Sequence, residues 1–421
     1  MQKKEIIRWL REEDPAALED LYARANAARQ QAVGDEVHLR GLVEVSSHCM
    51  RQCLYCGLRA PNTALGRYRM TRDEILACAK AARGFGYGTV VLQAGEDPGL
   101  TAEFIADVVR EIKKIPAPPA ATAANTAAVP PSALAVTLSL GERTDAELAL
   151  WKQAGADRYL LRFETSNPQL FDRIHPSLPS RQSDRVAQLR RLRELGYEIG
   201  SGVMIGIPGQ TFDDLANDIL LFAELDLDMI GVGPFLPHPQ TPLGEMRNAE
   251  CGVRNDTATR IDTHEHQAAA GAEGNPQTLE QGIPHSAFCT PHLNAGQVPN
   301  TELMTYKTIA LTRLACPRAN IPSTTALATL NKARGRELGL MRGANIVMPN
   351  LTPPEYRAMY EIYPAKACIY ETADACHGCM LGRIESIGRR AGRGQGSAKG
   401  SHKPQATSHE AKTNGDSGER G

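Results

Sequence analysis

Six of the ten cysteines fall into two tight groups: Cys49, Cys53 and Cys56, and Cys368, Cys376 and Cys379. Thiolates at this density bind soft metals. A structural zinc site completes a four-ligand set with a second nearby pair, and no CxxC or HxxxH follows the first group closely. A four-iron cluster held by only three protein thiolates keeps one iron open to an external chelating ligand. The CxxxCxxC spacing in SSHCMRQCLYCGLRAPN suits that arrangement, with a zinc-binding or accidental triplet as the alternative. Of the other cysteines, Cys78 sits in the apolar stretch 71–85 and Cys316 closes the stretch 301–316, as small core hydrophobes do. Cys251 and Cys289, with His264, His266, His285 and His292, are irregularly spaced in a polar stretch and do not suggest a metal site.

Other chemistry-bearing residues recur at the ends of β-rich runs. Gly95, Glu96 and Asp97 follow one run in VVLQAGEDP, where a glycine lets the backbone approach a ligand and a carboxylate suits an ammonium group. In Arg158–Glu164 the period of two sets Tyr159, Leu161 and Phe163 on one face and Leu160, Arg162 and Glu164 on the other. A buried charged face costs several kcal/mol unless it is paired or placed against a ligand. Thr137 and Ser139 share a face of another run, Thr324 and Thr325 interrupt a further one, and Gly206 and Gly209 form a turn in VMIGIPGQT.

The elements that must position these residues alternate. Strands are expected at Leu42–Ser46, Thr89–Ala94, Ala135–Leu140, Arg158–Thr165, Glu198–Ile207, Asp228–Leu236, Asn320–Leu327 and Ala344–Asn350. Helices with apolar residues at three- and four-residue spacing are expected over 71–85, 100–115, 144–154, 184–195, 211–225, 301–316 and 331–341. Eight strand-helix units predict an α/β fold, a (β/α)8 TIM barrel over 1–390, preceded by helices within 1–40. In such a barrel the catalytic face lies at the C-terminal ends of the strands, where the first cysteine group falls. Two stretches break the alternation: the Pro/Ala-rich 116–133 and the polar 248–300, both expected as surface-lying insertions. Residues 391–421 are polar and of low complexity, expected as an unfolded tail.

With 47 Lys and Arg against 48 Asp and Glu, the chain lacks the footprint of a nucleic-acid or anionic-membrane binder. The longest apolar runs fall well short of a membrane span, and MQKKEIIRWLREED is too charged for a signal peptide, so a cytoplasmic protein is expected.

The cysteine loop resembles that of the radical S-adenosylmethionine (radical SAM) enzymes. VVLQAGEDP, AVTLSLGE, AGADRYLLRFETSNPQLFDRIHP, DMIGVGPFLPHPQTP and GANIVMPNLTPPEYRAMYEIYP extend the likeness to the radical SAM maturases of [FeFe]-hydrogenase, a family grouped with biotin synthase and methylornithine synthase. The resemblance implies a [4Fe-4S] cluster on Cys49, Cys53 and Cys56 and S-adenosyl-L-methionine (SAM) chelated at the open iron. One-electron reduction then cleaves SAM to a 5′-deoxyadenosyl radical. It sets Tyr55 near the adenine and Gly95 with Glu96 at the methionyl amine, although Ala94 replaces the first glycine of that element. Glu164, Arg185, Met204 and Met229 would surround SAM, with Thr137, Arg162, Thr324, Thr325 and Tyr363 deeper, at the substrate and its anions. Cys368, Cys376 and Cys379 match an accessory iron–sulfur cluster; His377 beside them is either a fourth ligand or, the simpler reading, an exposed residue. The implied substrate is a cysteine-bound iron carbonyl-cyanide precursor, and the implied partners are companion maturases and a reducing electron donor. Biotin synthase takes cysteines on its inner strands for a second cluster, and none of the eight expected strands carries one. Methylornithine synthase stays open on motif chemistry, and a non-catalytic iron–sulfur or zinc assembly scaffold is the non-enzyme alternative.

Overall fold

The computed structural model describes residues 1–116, 133–179, 182–245 and 296–398. Six strands pair in parallel and in chain order: β1 (Glu36–Ser46), β2 (Thr89–Ala94), β3 (Ala135–Ser139), β4 (Arg158–Leu160), β5 (Glu198–Ile205) and β6 (Met229–Pro234). On its other edge β1 pairs with β7 (Ile346–Val347). Between β6 and β7, residues 320–322 are held by parallel bridges from Met229 to Asn320 and from Pro322 to Ile346, which close the ring. The eight-position barrel expected from the sequence is therefore present, with shorter strands at several positions.

The seventh position ends early because Pro322 gives no N–H to a ladder and Thr324 caps the helix Thr325–Leu330, its hydroxyl accepting from the Leu327 amide. The fourth strand stops at Leu160 and regains its neighbour through one bridge, Glu164 to Val203. β1 starts six residues before the expected Leu42, and the eighth position adds only a Leu42–Asn350 bridge to Ile346–Val347.

Thr71, Thr144 and Thr211 open the helices Arg72–Gly84, Asp145–Gln153 and Phe212–Glu224 with reciprocal capping boxes. These helices bury one apolar face on the barrel's outside, as with Ile105, Val108, Val109 and Ile112 of Ala102–Lys114. The N-terminal helices Lys3–Arg11 and Pro15–Val33 pack on Phe212–Glu224 and Glu302–Ala315.

Two expectations about irregular segments change. Residues 391–398, assigned to an unfolded tail, are packed beneath the barrel: β8 (Arg390–Ala391) pairs with β1, and the Gly396 carbonyl accepts from Arg40 and Asn320. The Gln395 carbonyl accepts from Thr89 and Arg158. Backbone carbonyls make these contacts, so a glycine-rich composition conceals them. At the end of the second insertion Val298 is fully buried and Gln297 bridges to Thr211, so 297–300 belongs to the fold and not to its surface. Most of both insertions, with Cys251, Cys289 and their four neighbouring histidines, lies outside the described residues. Among the described residues no helix is long and apolar enough to cross a membrane.

Candidate active site

Past β1 the chain forms a loop over the barrel mouth, tied down mainly by backbone bonds. The amides of Met50, Leu54 and Gly57 donate to the carbonyls of Glu96 (2.9 Å), Ile174 (2.8 Å) and Ile362 (3.1 Å). The Arg67 guanidinium binds four of the loop's carbonyls, those of Ser47, Leu58, Arg59 and Asn62. Two glycines are required by close approach. A Cβ on Gly95 would stand 2.3 Å from the His48 carbonyl oxygen and 2.7 Å from the Cys49 Cβ, and one on Gly57 would stand 2.1 Å from the Glu361 carbonyl oxygen. Gly95 thus makes room for the cysteine loop itself.

Cys49, Cys53 and Cys56 all border one cavity of about 310 Å³. Burial pushes all three thiols up, Cys53 to about 12, so they become thiolates only against a strongly positive metal centre. Three thiols bordering one cavity can each meet a different iron of a four-iron cluster and leave the fourth iron open, and this donor set fits it.

Tyr55, Gly95, Glu96, Arg162, Glu164, Arg185, Met204, Met229, Thr324 and Tyr363 line the same cavity. The alternation read in the fourth strand is seen here for most positions: Tyr159 and Phe163 pack outward against Tyr197 and Phe222, while Leu160, Arg162 and Glu164 face the lumen, which Leu161 also borders. Glu164 has φ 62°, the left-handed region a glutamate rarely occupies. Its two carboxylate oxygens accept from the Tyr55 hydroxyl (3.4 Å) and the Arg162 Nε (3.1 Å). Arg185 donates to Glu142 (3.0 Å) and to the Arg162 carbonyl (2.6 Å) and contacts His175. The Glu96 carboxylate meets Arg51 at 2.9 Å and accepts from the Glu142 amide at 3.0 Å, so its nearest cation belongs to the protein.

Two of the expected substrate residues do not reach this cavity. Thr137 lies one layer below, beside a hollow of about 10 Å³ bounded by Arg40, Arg158 and the underside of Met229, and Ser139 of the same strand faces the cavity instead. Thr325 begins a helix, while its neighbours Thr324 and Ala326 line the lumen.

Sequence reasoning missed a charged group behind the cysteines. Arg51, fully buried, lies between Glu96 and Glu142 at 2.9 and 3.0 Å. Burial pushes the Glu142 carboxyl up, but Arg185, the Ser183 hydroxyl and Arg51 outweigh it and hold it at about 2. Burial, with Arg185 and Arg51 nearby, pulls His175 down to about 3, so its ring is neutral. A signal was available for Glu142 alone: a carboxylate just past the C-terminal end of a barrel strand.

Of the second group, Cys368 and Cys376 are in hydrogen-bond contact. That bond, helped by Arg336, draws the Cys368 thiol down. Cys379 is exposed one turn along the helix Ala373–Ser386 and hydrogen-bonded to Arg383. His377 is neither exposed nor turned to the thiols. It stacks on Phe85 at 4.6 Å, and its Nδ1 is 2.9 Å from the Tyr87 hydroxyl.

A closed parallel barrel that opens three thiols onto a lumen ringed by charged residues defines a radical SAM enzyme, and residues 43–222 match the Radical SAM superfamily. The chain is 40% identical over 381 residues to the [FeFe] hydrogenase maturase subunit HydE of Thermotoga maritima, covering 90% of this chain and 89% of that one. It therefore belongs to the HydE family of radical SAM [FeFe]-hydrogenase maturases, iron–sulfur enzymes that use SAM. The 3-methylornithine synthase of Methanosarcina acetivorans is 29% identical over 236 residues, 55% of this chain and 61% of that one. A crystal structure of methylornithine synthase (PylB) has the same fold, with TM-score 0.67 at 23% identity, covering 93% of this chain and 94% of that one.

Proposed function

We propose that the chain acts in assembling the two-iron subcluster of the hydrogenase, on a cysteine-bound iron carbonyl-cyanide precursor handed over by a companion maturase, with a reducing electron donor. Cys49, Cys53 and Cys56 hold the first cluster. Reductive cleavage of SAM to a 5′-deoxyadenosyl radical is the chemistry that cluster and SAM supply when bound. Arg185 offers a cation to the SAM carboxylate, Glu96 and Glu164 offer anions to its amine and hydroxyls, and Tyr55, Gly95, Met204 and Met229 complete the walls. Arg162, Thr324 and Tyr363 receive the precursor, whereas Thr137 and Thr325, outside the lining, act only through their neighbours. Cys368, Cys376 and Cys379 hold an accessory iron–sulfur cluster.

The observation that carries the substrate assignment is Arg162. Its side chain is 34% exposed and borders a lumen walled by Leu160, Phe235, Leu236 and Met348, with one carboxylate partner, Glu164. A guanidinium in apolar surroundings clamps a carboxylate or a cyanide-bearing anion well.

Anaerobic reconstitution should load about four irons on the first triplet and about four on the second. Formation of 5′-deoxyadenosine should vanish in Cys53→Ser and survive in Cys376→Ser; cleavage persisting in Cys53→Ser overturns the cluster assignment. The gene should restore hydrogenase activity to a strain lacking its own maturase of this family. Failure there, with conversion of lysine to an isomer by the purified enzyme, would transfer the assignment to methylornithine synthesis.

A further inference from the structure

We propose that Asp218, on the outer helix Phe212–Glu224, is a positioning residue for SAM: its carboxylate braces the segment after β4 that carries Glu164 against the end of β5 that carries Met204. The proposal rests on the radical SAM reading of the cavity.

Asp218 is fully buried outside the barrel wall and does not touch the cavity. One of its oxygens accepts from the Ser166 amide (2.5 Å) and the Thr165 hydroxyl (3.4 Å), the two residues that follow Glu164. The other accepts from the Gln210 side-chain amide (3.3 Å). That amide nitrogen also donates to the Met204 carbonyl (3.1 Å), while the Gln210 side-chain oxygen accepts from the Gly206 amide (2.7 Å). One carboxylate and one carboxamide therefore join the end of the fourth strand to the turn after the fifth.

Both segments need an external hold. Glu164 keeps a left-handed backbone, and such a conformation persists only where the surroundings over-determine it. The next residues turn sharply, the Thr165 amide bonding to the Phe163 carbonyl at 2.7 Å. Gly206 and Gly209 both have positive φ, and a Cβ on Gly206 would stand 2.4 Å from the Asn300 amide nitrogen. Asp214, one turn earlier on the same helix, adds a second tie by accepting from the Asn167 side chain (3.0 Å). Asp218 takes its hydrogen bonds from neutral donors, and burial raises its carboxyl to about 7. A carboxylate kept at that cost is accounted for by what it holds in place.

The test uses the full-length, iron-reconstituted protein with dithionite as reductant, reading iron content, KM for SAM, kcat for 5′-deoxyadenosine and the SAM-induced change in the reduced-cluster spin resonance. Asp218→Asn should keep its iron and its kcat at saturating SAM, while KM for SAM and the SAM needed for the spectral change rise about tenfold, as loss of one charge-assisted bond implies. Thr165→Val, which removes one donor to Asp218 and the acceptor of the Asn167 amide, should raise KM about threefold by the same scale and serves if the Asp218 variant does not fold. Ile219→Val, the next residue on the same helix and buried, should lower the melting temperature and leave KM unchanged. Wild-type KM in both Asp218→Asn and Thr165→Val, or an equal rise in Ile219→Val, overturns the proposal. Absence of any SAM response in the wild type instead overturns the radical SAM reading on which it rests.

Discussion

The Arg40 Nη1 lies 2.8 Å from the Met229 sulfur, while the Nη2 of the same guanidinium donates to the Gly396 carbonyl at 2.9 Å. The residue flooring the cavity thus rests on an arginine held from below by the last described residues of the chain. Burial, with Arg158 nearby, lowers the Arg40 pKa to about 9, and Arg158, besides its ion pair with Glu198 (2.6 Å), takes partners from Gln395 and Ser397. A chain ending at Ala391 should be less stable than one ending at Ala398 by about 3 kcal/mol or more, since two buried guanidiniums lose acceptors. It should also bind SAM more weakly through displacement of Met229. Thermal melts and SAM titrations of the two proteins decide this; identical melting temperatures would show that 392–398 do not support the floor.

The left-handed Glu164 sets backbone strain against side-chain function. Glu164→Gly removes a conformational cost of about 1–3 kcal/mol but also the acceptor of Tyr55 and Arg162. The variant should melt at or above the wild-type temperature and bind SAM at least about tenfold more weakly. A clear fall in melting temperature would mean that the two side-chain bonds outweigh the strain.

Much of this site was legible because its signals are local. The CxxxCxxC loop, the alternation from Arg158 to Glu164 and Glu96 after the second strand are each read within about ten residues. What escaped depends on contacts between distant segments. Arg51 looks like a solvated residue inside a cysteine motif until Glu96 and Glu142 close on it. Thr137 has the right residue type but sits one layer too deep, since strand periodicity gives the face and not the height. Residues 392–398 look unfolded because the backbone carbonyls of Gln395 and Gly396, invisible in composition, do most of their binding. His377 reads as an exposed residue beside the thiols, and only the Phe85–Tyr87 surface shows where its ring goes.

The Glu142 carboxylate should be the most costly acid of the site to remove. It accepts from Ser183 and Arg185 and faces Arg51 at 3.0 Å while nearly fully buried. Glu142→Gln leaves two buried guanidiniums short of an anion and should cost about 3–5 kcal/mol. Arg51→Met combined with Glu142→Gln should cost less than the sum of the two single changes, because the second loss removes a charge already left unpaired. Urea midpoints of the cluster-free protein measure both, and strict additivity would deny the coupling.

Asp218 gives a pH dependence whose sign can be worked out. Burial, with Asp214 on the same helix adding to it, raises the folded carboxyl to about 7, above the roughly 3.9 of an unfolded aspartate. The folded state therefore holds this proton more tightly. Its contribution to stability is full below about pH 4, declines as pH rises toward 7, and is constant above that, by up to about 1.4 kcal/mol per pH unit within the window. Asp218→Asn cannot lose that proton. Whatever the substitution costs at pH 5, the variant should gain on the wild type between pH 5 and pH 7 and stay level with that gain at pH 8. Urea midpoints of both proteins at pH 5, 6, 7 and 8 test this. Parallel curves would mean that the carboxyl ionises as readily in the fold as in water, and that burial does not penalise its charged form.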